Sequence, residues 1–235
     1  RRMTEDPKRW SHPFTALLGA FDVQMGMGLP SIGGKDSMSG TFEDIDVPPT
    51  LVSFAVDVAK EKDVITPELK AAGNKLVSIS LIRDQFNLVD YEDVKTLYET
   101  VASGKVKSAY VPDGKGVIAA TLKMSFGNKI GVKFDELDSD LFTPDFGGFV
   151  LEMNEADANE ICEVIEKNFC AASKIVGETI DKPVVIIGSE EIDLEEAIAD
   201  WKAPLEKVFP TVAVDRKDEV EIPTFHADSI YVCKN

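Results

Sequence analysis

The chain has 235 residues, of which 44% are hydrophobic and 29% are charged, and it carries a formal net charge of −17 at pH 7. A chain of this size can bury the core of one or two globular domains. Its negative charge argues against nucleic acid and anionic membranes as partners, because both would repel it at long range.

The sequence also argues against a membrane-spanning protein and against a secreted one. No apolar run approaches the ~20 residues that span a bilayer, and the opening residues, Arg1-Arg2-Met3, lack the apolar core of a secretory leader. The cysteines are odd in number and have no metal-binding spacing, which predicts a reducing, cytoplasmic compartment and no zinc site. A soluble cytoplasmic protein is therefore expected.

The first elements along the chain are a helix, a glycine-rich loop and a strand. Pro13 can occupy the first helical turn behind Ser11, and apolar residues at helical spacing then predict a helix from residue 13 to residue 27. The nearly continuous apolar run 51–59 predicts a strand that is covered on both faces. These elements are too few to close a domain.

The middle of the chain predicts a larger α/β unit. Residues 60–73 are charged and carry a Thr-Pro pair, so they are expected to form a linker. The predicted strands after it are residues 74–81, 108–112, 130–134, 148–153, 173–177 and 184–188. The predicted helices are residues 92–103, 117–126, 155–169 (capped by Asn154) and 194–208. This order lacks a strict βαβ rhythm, which predicts an α/β (α+β) sandwich with a mixed sheet.

The glycine-rich loop carries the most informative motif. It reads Leu29-Pro-Ser-Ile-Gly-Gly-Lys-Asp-Ser-Met-Ser-Gly40. Glycines let a backbone approach a ligand, lysine supplies a charge for phosphate, and a carboxylate can hold Mg²⁺ beside a nucleotide. The loop is not a Walker A motif, because Leu29 and Asp36 occupy positions that require glycine and a hydroxyl residue. A tight turn between two strands is the structural alternative.

The motif and its neighbours resemble a known family. The loop is followed by the hydrophobic run from Pro48 to Val56, and later by Asp113-Gly114-Lys115-Gly116 and by Met124-Ser-Phe-Gly-Asn128. Together they resemble the second synthetase half of the long, single-chain phosphoribosylformylglycinamidine synthase, in the aminoimidazole ribonucleotide synthetase-like superfamily. The resemblance covers nearly the whole chain, and the loop is its most specific part.

The resemblance implies a domain arrangement. Residues 1–62 would be an incomplete piece of an N-terminal sheet domain, and residues 63–212 a C-terminal three-layer α/β/α sandwich. Residues 213–235 would be a linker toward a glutaminase domain outside this chain. On this interpretation the chain is part of a longer protein, its partners are the missing synthetase and glutaminase segments, and by itself it is inactive and able to self-associate.

The resemblance also implies a chemistry. The family converts formylglycinamide ribonucleotide, glutamine and ATP to formylglycinamidine ribonucleotide, ADP, phosphate and glutamate, by activating an amide oxygen for attack by ammonia. ATP or ADP and Mg²⁺ are the implied cofactors, and no catalytic residue is assigned. The implied nucleotide-binding residues are Gly33, Gly34, Lys35 and Ser37, and the implied metal ligands are Asp36 and Asp113.

Several alternatives stay open at the level of sequence. Lys115 interrupts the glycine pair that follows the corresponding aspartate in relatives, and Asp113 could instead cap the next helix. The chain could be a non-catalytic nucleotide-binding or packing module of the same enzyme. It could also be a stand-alone relative of aminoimidazole ribonucleotide synthetase.

Overall fold

A computed structural model describes residues 5–37, 40–102, 105–135 and 139–212 of the chain. The chain divides into two compact units, residues 1–196 and 197–235. The predicted domain boundaries near residues 62 and 212 stay predictions, and the whole predicted C-terminal linker, residues 213–235, lies outside the described residues.

The first elements form a long helix and two small antiparallel ribbons. Helix α1 spans Pro7–Met27, and strand β1 (Gly33–Ser37) pairs antiparallel with β4 (Thr50–Phe54). Between them, the short strands β2 (Thr41–Phe42) and β3 (Ile45–Asp46) pair with each other. The helix begins earlier than predicted because the side chain of Asp6 accepts a hydrogen bond from the main-chain N–H of Lys8 at 3.0 Å.

Two predictions about this region are wrong. The glycine-rich segment is a strand and not a loop, since Gly34 lacks the Cβ that would collide with the carbonyl oxygen of Val52 on the paired strand. The strand predicted over residues 51–59 ends at Phe54, and it is not covered on both faces. Val52 is 42% and Phe54 53% exposed, because the ribbon has only two strands and a single helix, α1, packs against β4.

The remaining strands and helices of the first unit build one sheet with helices on both faces. The strands are β5 (Lys75–Leu81), β6 (Ser108–Tyr110), β7 (Gly131–Phe134), β8 (Phe149–Met153), β9 (Ala171–Ile180), β10 (Val184–Ile187) and β11 (Glu190–Asp193). The helices are α2 (Tyr91–Ala102), α3 (Gly116–Asn128), α4 (Glu155–Asn168) and α5 (Leu194–Glu206), the last of which runs into the second unit. Short 3₁₀ turns lie at Glu61–Asp63 and Ser139–Phe142.

The seven strands lie in the order β11-β10-β7-β9-β5-β8-β6. Only the β7–β10 pair is parallel and the other pairs are antiparallel, so the sheet is mixed. Because β5 and β9 are central and the other pairs extend to either side, this sheet organises the first unit.

Two hydrophobic cores lie on opposite faces of this sheet. On one face, Met124 of α3 packs with Leu76 and Val132 of the strands; on the other, Leu97 of α2 and Ile165 of α4 pack with further strand residues. The prediction of a three-layer α/β/α sandwich with a mixed sheet is therefore confirmed.

The sequence missed one strand and misjudged one connection. The sequence predicts no strand between residues 184–188 and the helix from residue 194, but residues 190–193 form β11, where Glu191 pairs with Ile186. The side chain of Asp193 then accepts from the N–H groups of the first helical turn. The end of the predicted linker is docked onto the sheet, since Leu69 is fully buried and the N–H of Gly73 donates to the carbonyl of Thr179 at 2.8 Å. Among the described residues, no helix combines the length and the apolarity needed to cross a membrane.

Candidate functional site

The larger cavity of the first unit lies on the α3 face of the sheet and has a volume of about 860 Å³. Its floor is formed by the ends of β5 and β9 that lie beside each other, where Ser78 pairs with Lys174 and Ser80 pairs with Ala172. Ligand sites commonly have volumes of about 300–1,000 Å³. The cavity is therefore large enough for a small organic ligand.

The polar floor follows from the alternation of side chains along β5. Successive residues of a strand point to opposite faces, so Val77 and Ile79 enter the core beneath α2 and α4 while Ser78 and Ser80 face the cavity. Leu76, two residues earlier on the cavity face, is instead buried in the core beneath α3. The strand therefore changes from apolar to polar on this face where the cavity begins.

One wall of the cavity is the connection 139–148, which is held against the start of α3. Gly116 begins α3 with a φ of +73°, and a Cβ at this position would lie 2.6 Å from the carbonyl oxygens of both Leu141 and Thr143. Only glycine combines this left-handed conformation with such a close approach. The wall therefore depends on the absence of a side chain at residue 116.

The same wall is fixed by side-chain hydrogen bonds. The hydroxyl of Ser80 donates to the carboxylate of Asp145 at 2.8 Å, and the N–H of Asp145 donates to the carbonyl of Asp113 at 3.2 Å. The hydroxyl of Tyr98 donates to the carbonyl of Gly147 at 2.9 Å. Burial raises the pKa of Tyr98 above its ordinary value, so this hydroxyl keeps its proton well beyond neutral pH.

At the mouth of the cavity, Arg83 joins the segment after β5, which contains Asn87, to the connection 139–148. Its guanidinium donates to the carbonyl of Phe146 at 2.8 Å and to the carbonyl of Asn87 at 3.1 Å. A guanidinium presents several donors in one plane, so a single side chain can hold two loops. The cavity mouth is thus organised before any ligand arrives.

Charges of both signs line this cavity. The side chains of Arg83 and Lys174 contribute positive charge, and Asp140 and Asp145 contribute negative charge. In a chain with a net charge of −17, two cations in one cavity form a local exception. Such a cavity suits a ligand that carries both an anionic group and hydrogen-bonding hydroxyls.

The residues predicted from the glycine-rich motif line a second, smaller cavity. It has a volume of about 310 Å³ and is bounded by β1, β4 and the side of α1 that includes Leu17 and Gln24. Gly33, Gly34, Lys35 and Asp36 all contribute to it. Of the predicted residues, the structure therefore brings these four together.

Within that cavity, Lys35 and Asp36 are consecutive residues of β1. Their side chains leave the strand on opposite faces, and the ammonium of Lys35 turns back to donate to the main-chain carbonyl of Asp36. Both residues are exposed. Ser37 is the last residue of β1, opposite Thr50.

Asp113 is not among the residues lining this second cavity. It lies before α3, where its carboxylate accepts from the N–H of Lys115 at 2.9 Å and from the ammonium of Lys123 at 3.1 Å. These two hydrogen bonds, the one from the main chain first, lower the pKa of Asp113. The residue at the helix N-cap position is Lys115, so Asp113 fixes the turn that precedes the helix and does not occupy the cap itself.

The two predicted metal ligands differ in how well they suit Mg²⁺. No group of three or more potential ligands converges anywhere in the described residues. Protein-bound Mg²⁺ often uses only one or two carboxylates together with substrate phosphates, and the exposed Asp36 could supply one such carboxylate. The carboxylate of Asp113 is already paired with Lys123, whose pKa is raised by that hydrogen bond. Both metal assignments stay predictions.

Sequence reasoning missed every residue of the larger cavity. Two signals were present: the serines at alternate positions of an otherwise apolar strand, and the glycine pair that follows Asp145 and Phe146. What joins them is the antiparallel pairing of β5 with β9, which brings Lys174 beside Ser78 although the two residues are 96 positions apart in the chain.

No protein-family model matches the chain. Its structure is similar to solved structures of PurL from Thermotoga maritima, one of which is described as phosphoribosylformylglycinamidine synthase II. Against PurL complexed with ATP the TM-score is 0.62 at 17% identity, over 90% of this chain and 38% of that one. Against PurL complexed with FGAR it is 0.57 at 14% identity, over 89% and 40%. Against PurLQS from T. maritima it is 0.60 at 19% identity, over 88% and 38%.

These similarities show the fold of the chain. The solved structures carry the name of the family that the glycine-rich motif resembles, so the resemblance is confirmed in the structural neighbours and in the mixed α/β fold. The chain spans about two fifths of the length of the PurL structures that it matches.

Proposed function

We propose that the chain is part of an ATP-dependent carbon–nitrogen ligase of purine biosynthesis, which forms formylglycinamidine ribonucleotide from formylglycinamide ribonucleotide, glutamine and ATP. The observation that carries this proposal is the larger cavity, with its hydroxyl floor and two cations, on a fold shared with PurL. Solved PurL structures with ATP and with FGAR support phosphorylated ribose compounds as the ligands.

The two cavities are assigned different parts of this task. The larger cavity would take a phosphorylated ribose ligand, with Lys174 and Arg83 facing its phosphate and the serines of β5 facing its hydroxyls. Lys35 would contact a nucleotide phosphate, together with the main chain of Gly33, Gly34 and Ser37. Asp36 would hold a Mg²⁺ ion that such a nucleotide brings.

The partners in this proposal are other segments of the same synthetase and a source of ammonia. The solved PurLQS assembly supports a PurL-like chain working with partner subunits. We place the protein in the cytoplasm, and we expect the chain alone to bind ligand without completing the reaction.

Titration calorimetry of this chain tests the proposal. ADP, with and without Mg²⁺, and formylglycinamide ribonucleotide are the ligands, and at least one of them should bind. Absence of heat and of any change in hydrogen exchange with all of them would overturn the proposal.

Substitution of Lys35 tests the phosphate contact. Lys35→Ala removes a charge-assisted hydrogen bond worth about 1.5 kcal/mol at an exposed site, which corresponds to about tenfold weaker ADP binding. The matched control is Lys167→Ala, which removes an exposed lysine of α4 that pairs with Glu163. Equal ADP affinities of the two variants and the parent would remove Lys35 from the site.

A further inference from the structure

Helix α1 lies between the ribbon of β1 and β4 and the sandwich. It packs against β4 of the ribbon and against α2 of the sandwich. Three of its residues, Leu17, Ala20 and Gln24, line the smaller cavity. The helix is therefore a wall of that cavity and also a contact with the sandwich.

The contact with α2 uses the opposite side of α1. Asp22 and Gly26 are four residues apart, so they lie on the same side of the helix. With about 100° between successive residues, this side is roughly 170° from the side that lines the cavity. A contact at Asp22 and Gly26 can therefore fix α1 without entering the cavity.

Both residues contact Tyr91, the first residue of α2. The hydroxyl of Tyr91 donates to the carboxylate of Asp22, and a Cβ on Gly26 would overlap the ring of Tyr91. Asp22 and Gly26 are half-buried, whereas the neighbouring Phe21 and Val23 are 59% and 48% exposed. One tyrosine thus holds this side of α1 by a hydrogen bond and by close packing.

We propose that Tyr91 is a positioning residue for the smaller cavity. By holding Asp22 and Gly26 it sets the orientation of α1, and with it the affinity for a nucleotide phosphate at Lys35. The inference rests on the proposed function in one respect, the nucleotide contact of Lys35. It adds that this contact is governed from α2, by two residues that do not themselves line the cavity, Tyr91 and Asp22.

The effect on affinity follows from the way the cavity is built. The strands β1 and β4 form two of its sides, and α1 forms the third. Groups that bind a ligand must be held within about 0.5 Å of the geometry that the ligand requires. A helix that loses its contact with α2 can rotate or shift, and the third side of the cavity then moves relative to Lys35.

Titration of the full chain with ADP and Mg²⁺ tests the inference. Tyr91→Phe removes the donor and Asp22→Ala removes the acceptor, so each should weaken ADP binding about two- to tenfold. The double variant should bind no more weakly than the weaker single variant, because all three lack the same hydrogen bond. Asp22→Asn keeps an acceptor and should bind ADP like the parent. Charge alone predicts the opposite for Asp22→Ala, since removing a carboxylate near an anion would strengthen its binding.

Two glycine variants of α1 form a matched pair. Gly26→Ala places a methyl group against the ring of Tyr91, whereas Gly19→Ala meets nothing within 4 Å. Gly26→Ala should therefore weaken ADP binding, and Gly19→Ala should leave it unchanged. In a Tyr91→Ala background, which makes room for the methyl group, Gly26→Ala should no longer change ADP binding.

The outcomes separate this inference from the proposed function. If Tyr91→Phe and Asp22→Ala lower the melting temperature but bind ADP like the parent, while Lys35→Ala binds it more weakly, Tyr91 only stabilises the fold. The inference is then wrong and the proposed function stands. If the parent binds no ADP, the inference fails together with the phosphate contact proposed for Lys35. If the effects of Tyr91→Phe and Asp22→Ala multiply in the double variant, the two residues do not act through one hydrogen bond, which also overturns the inference.

Discussion

Replacing Glu152 by glutamine should destabilise the first unit strongly, although the change removes no atom from the core. Glu152 is fully buried in β8 on the α3 face of the sheet. One carboxylate oxygen accepts from the N–H of Lys70 and the hydroxyl of Ser108, both at 2.8 Å. The other accepts from the N–H of Ala71 at 3.2 Å and from the side-chain amide of Asn74 at 2.6 Å. The carboxylate thus fastens the 69–74 segment to the sheet.

The magnitude follows from the donors that lose an acceptor. In Glu152→Gln one oxygen becomes an amide NH₂ that faces two donors, and each lost hydrogen bond to a charged group is worth about 1.5–3 kcal/mol. If the hydroxyl of Ser108 rotates to accept from the new amide, only the N–H of Lys70 is left without an acceptor on this side chain. The expected loss is therefore about 3 kcal/mol, which for a domain of this size lowers the melting temperature by about 6–12 °C.

Thermal and urea unfolding followed by circular dichroism measure this loss. Glu160→Gln is the matched control, because Glu160 is a 63% exposed carboxylate of α4 that pairs with Lys105. Surface ion pairs of this kind contribute about 0–1 kcal/mol, so the control should unfold close to the parent. If the free energy of unfolding of Glu152→Gln is less than about 1 kcal/mol below that of the parent, the argument that this carboxylate fastens the 69–74 segment is refuted.

Two further predictions concern the packing of α1 and of α3. The pKa of Tyr91 is raised to about 12, mainly by burial and then by the hydrogen bond that its hydroxyl donates to the carboxylate of Asp22 in α1. The stability that the protonated Tyr91 contributes is therefore constant below pH 10 and is lost between about pH 10 and pH 12. Absorbance titration should show a late-ionising tyrosine that is missing in Tyr91→Phe, and identical titration curves would contradict this. Gly116→Ala should cost at least about 1–2 kcal/mol from its left-handed conformation alone, and it should also displace the carbonyls of Leu141 and Thr143 and weaken ligand binding in the larger cavity. Gly19→Ala, within α1 with nothing within 4 Å of the added Cβ, should instead stabilise the protein by about 0.5–1 kcal/mol, and equal unfolding of the two variants would count against the wall contact.

The sandwich could be predicted from the sequence because most of its strands and helices have clear local sequence signals. The strand beginning at Lys75 has a β-rich run, and the helix after Asn154 has both a cap and a buried stripe, so each was placed within one or two residues. Local signals failed where pairing decides the structure. The segment from Gly33 to Ser37 has a turn-like composition, yet it becomes a strand because β4 accepts it as a partner.

The site was harder to predict than the fold for the same reason. Gly33 to Asp36 are contiguous, so a motif could find them, and the structure does gather them around one cavity. The larger cavity draws on Ser80, Asp145 and Lys174, which only the sheet brings together. A serine at alternate positions of a strand is ambiguous in sequence, because it can face solvent, a helix or a ligand.

The position of the larger cavity follows from how unequally the two faces of the sheet are covered. On one face, α2 and α4 both supply core residues, and β5 presents three apolar side chains there after Lys75: Val77, Ile79 and Leu81. On the other face α3 packs over Leu76, and beyond it the same strand presents Ser78 and Ser80. Apolar side chains left without a helix above them would cost burial energy, whereas hydroxyls there can bond to a loop or a ligand. The change of residue type along one face of β5 therefore marks where the helical layer ends and where a ligand can replace it.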